Sequence, residues 1–100
     1  MFTVIYSFKV KQGQSDNFIE AWKDMTNLII KYEGGLGSRL HKQSEFNFIA
    51  YAQWPNKETW KNSGSQLPEI SKSIRLKMRN SCDNVQTLFE LDVVEDLLIN

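Results

Sequence analysis

Residues 2–10 alternate, with Phe2, Val4, Tyr6, Phe8 and Val10 on one side and Thr3, Ile5, Ser7 and Lys9 on the other. A period of two in aromatic and β-branched residues predicts a half-buried strand. Lys11-Gln-Gly-Gln14 reads as a turn. The period then lengthens: Phe18, Ala21, Trp22, Met25, Leu28, Ile29 and Tyr32 step by three and four. That spacing lines one stripe of a helix running from Ser15 or Asn17 to Glu33. Asn17 and Glu20 have capping-box spacing, and Gly34-Gly35 predicts the stop, because glycine accepts the left-handed backbone of a helix C-terminus.

Roughly residues 36–54 predict a hairpin. Gly37-Ser-Arg-Leu-His41 and Phe46–Trp54 have strand chemistry, are joined by Gln43-Ser44-Glu45, and stop at Pro55. In the second run Phe46, Phe48, Ala50, Ala52 and Trp54 point one way, and Ile49 and Tyr51 the other. A strand apolar on both sides needs cover on both sides. Asn56 predicts the cap of a short helix containing Trp60. Gly64-Ser65 interrupts it, and Pro68 suits the first turn of a second piece striped by Leu67, Ile70, Ile74 and Met78. Asn84 to about Val94 predicts a last strand, with Val85, Thr87, Phe89, Leu91 and Val93 on one face.

The order β-α-β-β-α-β predicts an α+β, ferredoxin-like sandwich over a single domain, residues 1–100. Its four-stranded antiparallel sheet carries both helices on one side. The other face is then bare, populated by Ile5, Ile49 or Tyr51, and Leu88 or Val94. An exposed apolar patch on the order of several hundred Å² calls for a cover. A second copy of the chain is the simplest cover, so a homodimer is expected.

Charge narrows the classes of partner. The 100 residues carry 12 basic and 12 acidic side chains, for a formal net charge of zero. That balance argues against work that depends on broad attraction to phosphate backbones or anionic lipid. Cys82 is the only cysteine, which excludes an internal disulfide, and no Cys/His cluster has zinc-site spacing. No apolar run approaches membrane-spanning length, and the strand at Phe2–Phe8 lacks signal-peptide shape. The cytoplasm is the expected compartment.

The chain resembles the antibiotic biosynthesis monooxygenase family of dimeric α+β barrel proteins. The resemblance rests on the first strand ending in Lys11-Gln-Gly13, the Phe18/Trp22 helix and Gly34-Gly35-Leu-Gly-Ser38. It continues through Ala52-Gln-Trp54-Pro and the Glu58-Thr-Trp60 helix start. It implies a barrel-shaped dimer with a pocket between sheet and helices in each subunit. It also implies oxidation of a small aromatic or quinol-like substrate by O2 with no cofactor. In such chemistry an electron-rich phenolate reduces O2 itself. The protein supplies a dry aromatic pocket, a group that handles the phenolic proton and a donor for oxyanion charge. The haem-degrading branch of the resemblance is set aside: its first-strand asparagine aligns with Tyr6, and its iron-binding histidine falls near Ser73.

The expected catalytic pair is His41 and Arg39, two residues apart on one strand and hence on one face. Imidazole exchanges protons near neutral pH, and guanidinium holds anions. The alternatives are a hydrogen-bonded edge histidine and an arginine paired across the dimer. Tyr6, Trp22, Tyr51, Trp54 and Trp60 are the expected substrate contacts, with plain core packing as the alternative. Lys72, Arg75 and Arg79 read as a solvated basic stripe. A non-catalytic ligand-binding dimer of the same fold remains open. An RNA-recognition module shares the element order, and Phe46, Phe48 and Tyr51 have its aromatic spacing. Ser44 and Glu45 stand where it needs a basic residue and glycine, so nucleic acid is not expected as a partner.

Overall fold

The computed structural model describes residues 1–99. Strand β1 spans Phe2–Val10, helix α1 Ser15–Glu33, β2 Ser38–Lys42 and β3 Asn47–Trp54. The short helix α2 (Lys57–Lys61), α3 (Ile70–Asn80) and β4 (Cys82–Asp92) complete the chain. The strands form one antiparallel sheet in the order β2-β3-β1-β4. This is the ferredoxin-like α+β arrangement that the element order predicts.

Register decides which residues share a face. Phe2, Val4, Tyr6 and Phe8 stand opposite Trp54, Ala52, Ala50 and Phe48. These form the face beneath the helices. Phe18 of α1, with no exposed surface, seats its ring 4.9 Å from Phe8 and 5.4 Å from Phe48. Phe8, Val10, Phe18, Phe48, Ala50 and Cys82 make one core cluster, onto which Trp22 and Met78 pack. Phe2, Val4 and Trp54 make a second, covered by Ile29 and Trp60.

The helix ends show which local signals governed. Gly34 takes φ 75° and closes α1 as expected. Gly35 follows so tightly that a Cβ there would stand 2.7 Å from Ile29 Cγ2. Asn56 caps α2, its side-chain oxygen accepting from the Thr59 backbone N–H at 2.8 Å. Asn17 does not cap α1. The helix starts earlier, at Ser15, and Asn17 Nδ2 donates to Gln14 Oε1 at 2.9 Å. The carboxylate of Glu33 is buried at the far end of α1, where Oε1 accepts from the backbone N–H groups of Gly64 (2.9 Å) and Gln66 (3.0 Å). It therefore anchors the loop between α2 and α3.

The last strand departs from expectation in two ways. It begins at Cys82 and ends at Asp92, two residues earlier than the alternation suggests. Its pairing with β1 also slips: Ile5 faces Phe89 while Tyr6 faces Thr87, leaving Leu88 as the extra residue of a bulge. The bulge changes the phase of alternation. Val85 and Thr87 therefore share the helix-covered face with Phe8 and Tyr6, whereas Phe89 and Leu91 sit with Ile5 and Thr3 on the other. A single five-residue stripe is not what forms.

The face away from the helices carries Ile5, Ile49 and Tyr51 in its middle and Phe89 and Leu91 at the β4 edge. Phe89 is 58% exposed and Leu91 47%. Among the described residues, no helix is long and apolar enough to cross a membrane.

Candidate functional site

Between α1, α3 and the covered face of the sheet lies a cavity of about 230 Å³. The amphipathic period of α1 supplies Trp22, Met25 and Ile29 to its wall, and the alternation of β1 and β3 supplies Tyr6 and Trp54. Gly35 and Gly37, which carry the chain from α1 into β2, also line it. At Gly35 the absent side chain is what allows the backbone to lie against Ile29.

Tyr6 is the wall residue with the most distinctive environment. Its hydroxyl oxygen accepts a hydrogen bond from Trp60 Nε1 at 2.8 Å, across 54 residues of sequence. The indole has no other polar group to offer, so this bond fixes the phenol's acceptor side. The phenol's own proton meets no protein acceptor among the described residues. Burial pushes the Tyr6 pKa above its ordinary value, the indole N–H draws it back, and the Glu90 carboxylate pushes it up again. The net direction is up. Tyr6 is thus held as a neutral phenol, able to donate.

Trp60 does not touch the cavity itself. It braces Tyr6 from behind, with its ring tilted against Phe2 at a centroid distance of 5.8 Å. Of the expected substrate contacts, Tyr6, Trp22 and Trp54 come together on the cavity wall. Tyr51 does not. It lies on the opposite face of the sheet, where its hydroxyl accepts from Gln53 Nε2 at 3.0 Å.

Arg39 and His41 also lie on that opposite face, standing across from Tyr51 and Ile49. Both are exposed and contribute to a shallow groove along the β2 edge. His41 Nδ1 is 3.2 Å from the Ile49 carbonyl oxygen. Their spacing does put them on one face, but that face is not the cavity's. Strand alternation alone could not say which face the helices cover at an edge strand apolar only at Leu40.

Thr26, Arg75 and Met78 line the cavity although the sequence marked none of them as a contact. Arg75 belongs to the basic stripe, yet it borders the apolar side of α3 between Ile74 and Met78. Proximity to that apolar stripe is the signal that distinguishes it from Lys72 and Arg79. Among the described residues, no three His, Cys, Asp or Glu side chains gather as a metal cluster would need. Cys82 lies buried in the core, where desolvation and then Asp83 push its thiol up to about 11. It is an inert thiol at neutral pH.

The aromatic spacing shared with RNA-recognition modules also separates in three dimensions. Phe48 is buried under α1, whereas Tyr51 is on the open face. A stacking platform needs those rings side by side on an accessible sheet.

The model of a family described as antibiotic biosynthesis monooxygenase matches residues 1–66. Among solved structures, SnoaB from Streptomyces nogalater, a cofactor-independent oxygenase, superposes with a TM-score of 0.77 at 12% identity. The match covers 96% of this chain and 95% of that one. A Caulobacter crescentus protein named for the same family gives 0.76 at 19% identity, covering 94% of this chain and 90% of that one. One from Nitrosomonas europaea gives 0.75 at 12%, covering 95% and 100%. At these identities the structural likeness is one of fold. No curated protein matches the chain by sequence.

Proposed function

Because this chain belongs to the antibiotic biosynthesis monooxygenase family, we propose that it is a cofactor-independent monooxygenase acting on a small aromatic or quinol-like phenol. The observation that carries this reading is the Tyr6 phenol. It is held neutral on the wall of an otherwise largely apolar cavity, with its acceptor side occupied by Trp60 and its proton free.

The chemistry follows from that arrangement. An anthrone-type substrate has a CH2 group made acidic by the aromatic ketone and its phenols. Donation from Tyr6 to the substrate oxygen stabilises the enolate, so the C–H proton is lost to solvent at the cavity mouth as the substrate enters, without a protein base. The enolate gives one electron to O2, and the resulting radical pair joins to a carbon-bound peroxide anion. This takes back from solvent a proton equal to the one released at the first step, giving the hydroperoxide. Loss of water then leaves a ketone. One oxygen atom enters the product and the other leaves as water, so CH2 plus O2 becomes C=O plus H2O. Trp22, Trp54 and Met25 exclude bulk water and pack the rings.

In this reading Arg39 and His41 serve a different surface. The open sheet face, with Phe89 and Leu91 exposed and Ile5, Ile49 and Tyr51 half-buried, is covered by a second copy of the chain. Arg39 and His41 rim that contact. A cytoplasmic setting fits the lone reduced thiol of Cys82.

The test is oxygen consumption with a panel of anthrones and hydroquinones, using protein stripped of metal and flavin. Catalysed uptake that falls on the order of a hundredfold in Tyr6→Phe supports the reading. Tight binding of a panel member with no uptake by any would replace it with a passive ligand-binding dimer.

A further inference from the structure

From residue 55 to residue 70 the chain contains no buried residue. Yet this segment carries Trp60, whose indole N–H occupies the acceptor side of the Tyr6 phenol at 2.8 Å. Among the described residues, its polar ties to the rest of the molecule run to Tyr6, Glu90 and Glu33. These ties differ in strength. Lys57 Nζ stands 3.5 Å from Glu90 with both side chains half-exposed, so water screens the pair. The Trp60–Tyr6 bond joins two neutral groups. Glu33 is buried, and its Oε1 accepts from two backbone N–H groups, Gly64 at 2.9 Å and Gln66 at 3.0 Å. A carboxylate acceptor makes these the strongest of the set.

A short, stiff path joins that carboxylate to Trp60. Ser63 donates to the Trp60 carbonyl oxygen twice, from its backbone N–H at 3.1 Å and from Oγ at 2.6 Å. The Asn62 backbone N–H donates to the Glu58 carbonyl oxygen at 2.9 Å. Gly64 follows with φ 103°, a turn that glycine tolerates, and its N–H meets Glu33. One residue past Glu33, Gly34 lies so close to α2 that a Cβ there would stand 3.4 Å from Thr59 Cγ2. The end of α1 thus meets the segment on either side of Trp60, at Thr59 and at Gly64 and Gln66.

We propose that Glu33 is a positioning residue for the Tyr6 phenol: its carboxylate clamps the segment between β3 and α3, and the clamped segment holds Trp60 Nε1 on the phenol oxygen. Gly64 and Gln66 are exposed, so water takes over their N–H groups when the carboxylate is removed. The segment then loosens while the sheet and its core stay folded. The effect on turnover rests on the reading of Tyr6 as the phenol that stabilises the enolate; the clamp on Trp60 does not.

The three tryptophans each give one indole N–H resonance, and Trp60→Phe identifies the Trp60 signal by its loss. Hydrogen exchange of these protons is followed by NMR in wild type, Glu33→Ala and Glu33→Gln. In Glu33→Ala the Trp60 indole exchanges on the order of tenfold faster, as loss of a charge-assisted hydrogen bond implies, while Trp22 and Trp54 keep their wild-type rates. Glu33→Gln, which retains an acceptor oxygen without the charge, falls between. An unmoved Trp60 rate, acceleration of all three indoles together, or a Gln variant no better than Ala overturns the inference. If Glu33→Ala does not fold, wild type decides: the Gly64 and Gln66 amides and the Trp60 indole share one protection factor, below that of the Val4 amide. Protection factors among the three that differ by more than roughly tenfold overturn it. Oxygen uptake separates this inference from the reaction. With Trp60 released, kcat on an anthrone falls on the order of tenfold, and an unchanged kcat would overturn the positioning role. Release of Trp60 with no uptake by wild type on any anthrone or hydroquinone leaves the clamp standing and removes the oxygenase.

Discussion

The hydrogen bond from Trp60 Nε1 to the Tyr6 hydroxyl joins α2 to the middle of β1 and aims the phenol into the cavity. Its strength can be isolated with Tyr6→Phe, Trp60→Phe and the double variant. The pair is half-buried at 2.8 Å, so the bond itself contributes about 1 kcal/mol net. Tyr6→Phe also strands the indole N–H, for a total loss of about 1–2 kcal/mol. Trp60→Phe removes the bond and some contact with Phe2, for a similar loss. The double variant loses the bond only once and strands nothing. Its destabilisation therefore falls short of the sum of the singles by about 1 kcal/mol. In urea, with a slope near 1 kcal/mol per molar for a chain of this size, that shortfall is about 1 M in midpoint. Protein concentration is held constant so that self-association does not shift the curves. The phenol supplies a second readout at 295 nm. The indole N–H draws the Tyr6 pKa down, so Trp60→Phe moves its ionisation to higher pH. Additive destabilisations within about 0.3 kcal/mol, together with an unmoved phenol titration, would refute the claim that Trp60 holds Tyr6.

Other expectations follow from the same geometry. Phe18→Ala, at a fully buried position between Phe8 and Phe48, costs about 3–5 kcal/mol in chemical denaturation, and a loss below about 1 kcal/mol would contradict the packing described. Gly35→Ala drives a Cβ to 2.7 Å from Ile29, costing about 1–3 kcal/mol and weakening ligand binding through the displaced wall. Unchanged melting and affinity would show the approach is looser. Burial raises the Cys82 thiol from 9.0 to about 11. Between those values the unfolded chain has lost a proton that the folded chain keeps, so the stability present below pH 9 declines as pH rises through 11. Cys82→Ala flattens that decline in melts between pH 8 and 11, and Tyr6, also raised, leaves a residual slope above its ordinary range. His41→Ala changes turnover by less than about threefold, because the residue lies across the sheet from the cavity; a loss of a hundredfold would return proton transfer to it.

The fold was legible because its periods are long and unbroken. Nine alternating residues in β1 and nineteen amphipathic ones in α1 leave little choice of element or face, and Gly34 and Asn56 mark their helix ends with side-chain and backbone chemistry of their own. The last strand was misread at Leu88, since a bulge adds a residue without any local signature in composition. The site was only partly legible. Tyr6, Trp22 and Trp54 belong to the covered stripes, so their meeting follows from amphipathicity. Arg39 and His41 share a face by alternation, but short β2 carries too few apolar residues to reveal which face. Arg75 shares a stripe with two solvated cations, and its place nearest Ile74 and Met78 is the one faint signal that separates it from them. The Trp60–Tyr6 bond is tertiary, between residues 54 positions apart, and no spacing rule reaches that far.

In the proposed reaction a phenol on a dry wall suffices to let an electron-rich substrate reduce O2. Incubation of the metal- and flavin-free protein with anthrone under ¹⁸O2 addresses it most directly, with product mass followed over time. One labelled oxygen is expected in anthraquinone, formed well above the protein-free rate in wild type and near it in Tyr6→Phe. Label entering at the protein-free rate in wild type, or equally fast in both proteins, would contradict it.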